Sequence, residues 1–134
     1  VDQSAKGIYA RLRLDYYLNP LSSFVLNFAY QDKKIDSENI PYEPKYVLSL
    51  DYFSELNFGL NINPAFDLVG DRYSFYNKKL LKPFFILKLN AEYTIFKNLS
   101  ATLNMNNILN TNYSYFEDYE EYPFSVFGGV KFKW

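Results

Sequence analysis

The sequence contains no cysteine and no histidine. Disulfide bonds and thiolate metal sites are therefore excluded. The common nucleophile–base pairs of enzymes and the usual zinc and iron sites also depend on these two side chains. The composition thus predicts a protein that is not an enzyme and that holds no metal or other cofactor of its own.

The sequence also lacks a large net charge and long hydrophobic runs. The formal net charge is −1, so the chain offers no basic face for nucleic acid. The densest apolar run, FFIL at residues 84–87, is soon broken by Lys88, whereas a membrane-spanning helix needs about 18 apolar residues or more. The sequence therefore excludes a transmembrane helix.

Aromatic side chains are abundant, at 21% of the residues, and apolar positions alternate with polar ones almost throughout. A period of two is the pattern of β-strands with two different faces. It recurs in seven segments of roughly the 9–11 residues that a tilted strand needs to cross a bilayer. The segments are IYARLRLDYY, FVLNFAYQ, KYVLSLDYF, LNFGLNIN, FFILKLNAEYT, LSATLNMNN and FSVFGGVKFKW.

The connections between these segments alternate between short and long. The short ones are NPLSS, FSE and FKN, and the long ones are DKKIDSENIPYEP, PAFDLVGDRYSFYNKKLLKP and ILNTNYSYFEDYEEYP. All long connections therefore lie at one end of an up-and-down meander, as the external loops of outer-membrane barrels do. Aromatic residues also concentrate near strand ends, where such barrels have their interfacial girdles. The predicted fold class is all-β: an antiparallel, up-and-down transmembrane β-barrel segment of about seven strands.

Alternation alone does not say which face points outward. A soluble, lipocalin-like barrel has its apolar face inside, and a membrane barrel has it outside. The one-sided loops, the aromatic strand ends and the aromatic C-terminus favour the membrane barrel. Seven strands do not close such a barrel, because bacterial single-chain barrels have an even strand number and open edges are not tolerated in lipid. We therefore expect residues 1–134 to be the C-terminal portion of a larger barrel, or to pair with a second chain.

Four stretches carry a more specific pattern: PYEPKYVLSLDY, LVGDRYSF, LKPFFILKLNAEYTIFKNLSATLNMNNILNTNY and EEYPFSVFGGVKFKW. They resemble consecutive parts of the C-terminal third of TonB-dependent outer-membrane receptors. NNILNTNY followed by YP is the most specific part of the resemblance, which covers most of the chain. The Pro-Gly-Arg segment that often follows Tyr-Pro in the family is missing, because Pro123 is followed directly by Phe124.

The resemblance implies a barrel of about 22 strands with an N-terminal plug domain, of which this chain supplies wall and closing strands but no plug. It implies uptake of scarce ligands such as iron chelates, cobalamin or glycans. The implied partners are outer-membrane lipid and lipopolysaccharide, the remainder of the barrel, and an energy-transducing TonB-type protein that contacts parts outside this chain. The implied location is the bacterial outer membrane. A passive, porin-like channel and a soluble, lipocalin-like binding barrel are the alternatives.

Three groups of residues are candidate sites. The first is the acidic, aromatic segment YSYFEDYEEY. Its carboxylates could contact a ligand or a cation, and the alternative is a hydrated external loop; they belong to Glu117, Asp118, Glu120 and Glu121. Four cations on the polar face of the first and last strands are candidate lumen charges that attract an anion or pair with carboxylates: Arg11, Arg13, Lys131 and Lys133. By the resemblance, the C-terminal strand carries a barrel-assembly signal at Gly129, Val130, Phe132 and Trp134.

Overall fold

The computed structural model describes residues 5–75 and 78–134, and over these residues the chain is all-β. The strands are β1 (Ala5–Asn19), β2 (Ser22–Ile35), β3 (Glu38–Asn39), β4 (Tyr46–Leu56), β5 (Leu60–Val69), β6 (Arg72–Tyr73), β7 (Leu80–Leu81), β8 (Phe84–Phe96), β9 (Leu99–Asn106) and β10 (Ser125–Phe132). In the described ranges, no helix has the length and apolarity required to span a bilayer.

Seven long strands form one antiparallel sheet in the order β1-β2-β4-β5-β8-β9-β10. Each of the six long strands after β1 pairs with the long strand before it, so the sheet is an up-and-down meander, as predicted. The short strand β3 extends the pairing of β2, and β6 pairs with β7 in a separate hairpin. The sequence did not indicate β3, β6 or β7, because a strand of two residues is too short to show a period of two.

The connections alternate between short and long, as predicted, but two boundaries differ. The turn after β4 occupies residues 57–59 instead of FSE, which belongs to β4. Gly59 determines its position, because it adopts the φ of 77° that glycine tolerates best. Strand β5 also continues through Pro64 to Val69, where the sequence predicted a long loop.

The strand register aligns apolar side chains across the whole sheet. One row runs from Leu14 through Leu26, Leu50 and Phe66 to Leu87. The apolar face, as we call it, includes this row and Leu12, Phe28, Leu48, Leu68, Phe85, Ala101, Leu103, Val126 and Val130. The opposite polar face includes Arg11, Arg13, Asn27, Ser49, Asp51, Asn63, Asp67, Lys88, Asn90, Glu92, Thr102, Asn104 and Lys131. A slip of one residue on any strand would exchange the two faces, so this pattern specifies the register.

Pro64 lies inside the sheet although proline has no N–H to donate. Because Asp51 is opposite Ala65, the backbone of Tyr52 faces Pro64. The carbonyl of Tyr52 accepts a hydrogen bond from Nδ2 of Asn63 at 3.0 Å instead. The Asn63 side chain thus replaces the donor that proline lacks and allows β5 to continue.

We predict that Asn63→Leu lowers the free energy of unfolding by about 1–3 kcal/mol, because it leaves a backbone carbonyl in the sheet without its donor. Asn104→Leu on β9 is the matched control, since the Asn104 amide is exposed and makes no side-chain hydrogen bond within the described ranges. Thermal or urea unfolding of the purified protein in detergent measures the difference. Equal losses in the two variants would contradict the role assigned to Asn63.

Buried apolar packing is confined to the end of the sheet that carries the long connections. There, Val69, Phe84, Ile86 and Tyr113 form a small cluster on the polar face. Strand β1 is exposed along its whole length, and Leu14 and Val130 are 52% and 72% exposed. No second layer from the described residues covers the apolar face, so its hydrophobic surface needs an apolar environment outside the chain.

Candidate functional site

The long connections meet around the side chain of Arg72, the first residue of β6. Arg72 is only 2% exposed. Its guanidinium donates to the carbonyl oxygens of Gly70 at 3.3 Å and Lys82 at 3.2 Å within its own connection. It also donates to the carbonyls of Tyr115, at 3.3 Å, and Ser114 in the last connection. One buried cation therefore joins two of the three long connections.

The electrostatic environment of Arg72 is unusual because carbonyl dipoles, not a carboxylate, surround the charge. Among the described residues it forms no salt bridge, and its guanidinium carbon lies 4.8 Å from the ring centre of Phe84. Burial lowers the pKa of Arg72, and the nearby Tyr115 and Asp71 partly oppose that shift. An arginine stays charged in proteins, so these carbonyls and the ring must replace its lost hydration.

Asn107 organises the start of the last connection from a fully buried position. Its Nδ2 donates to the carbonyls of Thr111 at 2.9 Å and Tyr122 at 3.3 Å, and its Oδ1 accepts from the N–H of Thr111 at 2.9 Å. Asn110 then accepts from the N–H of Phe124 at 3.0 Å. Asn107 and Asn110 have φ angles of 49° and 52°, which asparagine adopts more readily than most residues. The NNILNTNY segment is therefore a folding motif for this loop.

Asn107→Ala should locally destabilise the last connection by about 1–3 kcal/mol, because Thr111 and Tyr122 lose buried hydrogen-bond partners. Amide hydrogen exchange of residues 108–124 measures the change. Asn112→Ala, an exposed position in the same segment, is the control and should leave exchange unchanged. Exchange that is as fast in the control as in Asn107→Ala would contradict this account.

Aromatic packing holds the middle of the same connection against the sheet. The ring of Phe84 lies 4.6 Å from that of Tyr113 and 5.2 Å from that of Tyr115, measured between centroids. Burial raises the pKa of both tyrosines above the ordinary value of 10.0. Because the folded loop favours the protonated hydroxyls, this stabilisation is complete below pH 10 and is lost as the pH rises through the raised values.

The connection between β2 and β4 joins the same assembly. The N–H of Tyr42 donates to the carbonyl of Tyr73 at 2.7 Å, and the N–H of Lys45 donates to the carbonyl of Asp71 at 3.1 Å. The rings of Tyr42 and Phe116 meet edge to face at 5.0 Å. All three long connections thus contact one another at one end of the sheet.

The predicted acidic segment forms the exposed tip of this assembly. Phe116 bridges to Tyr119 across a tight turn in which Asp118 has a φ of 65°. The N–H of Glu121 donates to the carbonyl of Tyr113 at 3.0 Å and returns the chain to the sheet. The side chains of Asp118 and Glu120 are exposed, and Glu117 and Glu121 are partly buried. Among the described residues, these carboxylates do not form a group that could hold a metal ion.

The predicted lumen cations lie on the polar face but do not converge. Arg13 pairs with Asp15 at 2.9 Å, and Lys131 forms an ion pair with Glu92. Arg11 is exposed on β1, and Lys133 follows β10, where its N–H donates to the carbonyl of Asn98 at 2.9 Å. Arg13 and Lys131 therefore pair with carboxylates of the sheet, the alternative that the sequence left open.

The sequence did not single out the pair that lies beneath the loop assembly. Nζ of Lys88 lies 2.5 Å from Oδ2 of Asp67, and both side chains are only partly exposed. The two residues lie on neighbouring strands: Asp67 is opposite Ile86, two positions before Lys88, so they are diagonal neighbours on one face. The alternation pattern puts both on the polar face, but their pairing depends on the register of β5 against β8.

Nearer the tight turns, the polar face has a recess of about 620 Å³. Asn63, Asn90 and Asn104 stand side by side on β5, β8 and β9 in this recess. Nδ2 of Asn90 donates to Oδ1 of Asn63 at 3.2 Å. Neutral amides therefore line the recess together with the Lys131–Glu92 ion pair.

The C-terminal strand continues the apolar face to the edge of the sheet. Val130 and Phe132 are opposite Ala101 and Leu99 on β9. A side chain at Gly129 would approach Oγ1 of Thr102 to 2.8 Å, which explains the glycine at this position. Trp134 lies beyond β10 and is fully exposed. The predicted row of Val130 and Phe132 on β10 is thus in place, and its role in barrel assembly stays a prediction.

A one-layer antiparallel meander with an uncovered apolar face, a polar opposite face and all long loops at one end is the architecture of an outer-membrane β-barrel wall. No protein-family model matches the sequence, and no curated protein matches it.

Solved structures, however, share the fold. The siderophore receptor PiuA from Acinetobacter baumannii superposes with a TM-score of 0.83 at 19% identity, over 97% of this chain and 22% of that chain. The pyoverdine outer membrane receptor FpvA from Pseudomonas aeruginosa gives 0.80 at 18% identity, over 97% and 22%. The ferric-catecholate import receptor Fiu from Escherichia coli gives 0.75 at 14% identity, over 90% and 20%. The chain spans about a fifth of these receptors and has the fold of a barrel segment of TonB-dependent siderophore receptors.

Proposed function

We propose that the chain is the C-terminal wall segment of a TonB-dependent receptor that imports iron chelates across the bacterial outer membrane. The observation that carries this proposal is the superposition of nearly the whole chain on siderophore receptors. The uncovered apolar face supports a lipid environment, since a soluble barrel needs that face inside a closed core. The chain supplies wall and external loops and performs no bond chemistry, in keeping with neighbours that are transport receptors.

The two edge strands indicate what else the receptor must contain. Within the described ranges, β1 pairs only with β2, and β10 pairs only with β9. Unpaired edges are not tolerated in lipid, so further strands of the same longer polypeptide complete the barrel in this proposal. The plug and the contact with the TonB-type protein belong to those other parts. Gly129, Val130, Phe132 and Trp134 serve as the assembly signal of the closing strand.

An iron chelate is favoured over cobalamin or a glycan because the structural neighbours are a siderophore receptor, a pyoverdine receptor and a ferric-catecholate import receptor. The loop assembly around Arg72 faces the side from which ligand arrives. Its exposed tip carries Tyr119 and Tyr122 beside Asp118 and Glu120. In the proposal, these side chains and Glu117 and Glu121 contact ligand as it enters.

Uptake of radioactive iron by cells that carry or lack the full-length gene tests the proposal. A panel of ferric siderophores is supplied at limiting concentration, in strains with and without the TonB-type protein. We expect gene-dependent uptake of at least one chelate, abolished when the transducer is deleted, and recovery of the protein in outer-membrane fractions. Uptake that persists without the transducer would instead identify a passive, porin-like channel, and recovery in the soluble fraction would support a lipocalin-like barrel.

A further inference from the structure

The connection between β2 and β4 ends in residues 40–45, which we call the strap. All six residues are partly buried, and two of them are prolines, so the strap has four backbone N–H groups. The N–H of Tyr42 donates to the carbonyl of Tyr73 at 2.7 Å. The N–H of Lys45 donates to the carbonyl of Asp71 at 3.1 Å. The connection between β5 and β8 thus supplies the acceptors for two of these four groups.

Tyr42 has an unfavourable backbone conformation. Its φ is 61°, in the left-handed region that a large side chain rarely adopts. Such a conformation persists only where its surroundings enforce it. Here they are the hydrogen bond to Tyr73 and the ring of Phe116, which meets the Tyr42 ring edge to face at 5.0 Å. Tyr42 therefore depends on both of the other long connections.

Arg72 fixes both of these contacts without a hydrogen bond to the strap. Its backbone lies between the two residues that accept from the strap. Its guanidinium donates to the carbonyls of Ser114 and Tyr115, which directly precede Phe116. In the part of the chain that the structure describes, no hydrogen bond of Arg72 goes to residues 40–45. One side chain therefore sets the positions of both groups that hold Tyr42.

We propose that the strap is closed only while Arg72 joins the two later connections, so that the three long connections open as one unit. An edge-to-face ring pair and a single hydrogen bond each stabilise by an amount similar to the cost of a large residue at positive φ. Loss of either contact therefore leaves the strained conformation without sufficient support. Displacement of the exposed tip at Phe116 would thereby also open the connection between β2 and β4. The proposal concerns the loops alone and does not depend on the imported ligand.

Amide hydrogen exchange of the strap tests the proposal in the full-length protein, purified from the outer membrane in detergent. Arg72→Met is compared with Lys78→Met, which removes a cation from the same connection and breaks its exposed ion pair with Glu38. In Arg72→Met, the amides of Tyr42 and Lys45 should exchange at least about tenfold faster, because a ring pair and a hydrogen bond are lost together. In Lys78→Met, their exchange should change by less than about twofold, because exposed ion pairs contribute little.

Phe116→Leu provides a second variant in case Arg72→Met does not fold. Phe116 is 54% exposed, so leucine at this position should leave the wall intact. Tyr119→Leu, in the same tip and 73% exposed, is its control. Phe116→Leu should accelerate exchange at Lys45 as well as at Tyr42, because the strap opens as a whole. The control should change neither amide.

The exchange of β4 and β9 reports whether the wall is folded in each variant. Unchanged exchange of the strap in Arg72→Met, or an equal acceleration in Lys78→Met, would overturn the proposal. Faster exchange at Tyr42 without a change at Lys45 in Phe116→Leu would also overturn it, since the strap would then not open as one unit.

Discussion

Arg72→Met is expected to release the last long connection from the sheet while leaving the seven-stranded meander folded. The substitution removes the donor from four backbone carbonyls, those of Gly70, Lys82, Ser114 and Tyr115. Hydrogen bonds to charged groups contribute about 1.5–3 kcal/mol each, and the release of a buried charge offsets part of this. We expect a net local loss of about 3–5 kcal/mol.

Amide hydrogen exchange and limited proteolysis of residues 107–124 measure this effect, with exchange of β8 and β9 as the internal reference. Arg11→Met is the matched control, since Arg11 is exposed on β1. Arg72→Lys should recover only a small part of the loss, because lysine lacks the planar fork that reaches several carbonyls at once. Protection of the loop that survives in Arg72→Met would show that Asn107 and the Phe84–Tyr113 packing hold it without the cation.

The second large effect concerns the apolar face. Leu48→Arg, in the middle of that face, should lower the free energy of unfolding in a lipid bilayer by about 2–4 kcal/mol, as a lipid-exposed arginine does near the midplane. Ser49→Arg, the next residue and on the polar face, should cost far less, because the proposed function assigns that face to the lumen. The comparison isolates the face, since strand, depth and new side chain are nearly the same.

A third variant checks the depth dependence. Tyr30→Arg lies on the same face in the aromatic row near the long loops, and arginine costs only about 0–1 kcal/mol near the interface. Refolding into liposomes under denaturant titration measures all three variants. If Ser49→Arg costs as much as Leu48→Arg, or if Tyr30→Arg costs as much as either, the apolar face does not contact lipid.

The sequence predicts the meander well because the determinants are local. Inspection of a few residues at a time is enough to find the period of two and the glycine and asparagine residues in the turns. It is also enough to distinguish a short connection such as FKN from the long ones. The boundary of β5 was wrong for a non-local reason: Pro64 normally argues against a central strand, and its compensation by Asn63 depends on the carbonyl of Tyr52 on another strand.

The site around Arg72 was harder to predict. LVGDRYSF was recognisable as a family-like segment, but the acceptors of Arg72 include backbone carbonyls more than 40 positions away. A backbone carbonyl carries no sequence signature, so no pattern could identify these partners. The opposition of Lys6 and Lys34 was also not predictable, because these lysines become neighbours only when the register of β1 against β2 is known.

The count of seven strands has a further consequence for how the sheet can be completed. In a meander of antiparallel neighbours, the first and the seventh strand run in the same direction, so β1 and β10 point the same way. A second copy joined edge to edge in the same membrane orientation would therefore place β10 beside a parallel β1. A continuous antiparallel cylinder instead requires an odd number of additional strands between the two edges. Chain direction alone thus disfavours a ring of identical copies and favours completion by a different segment.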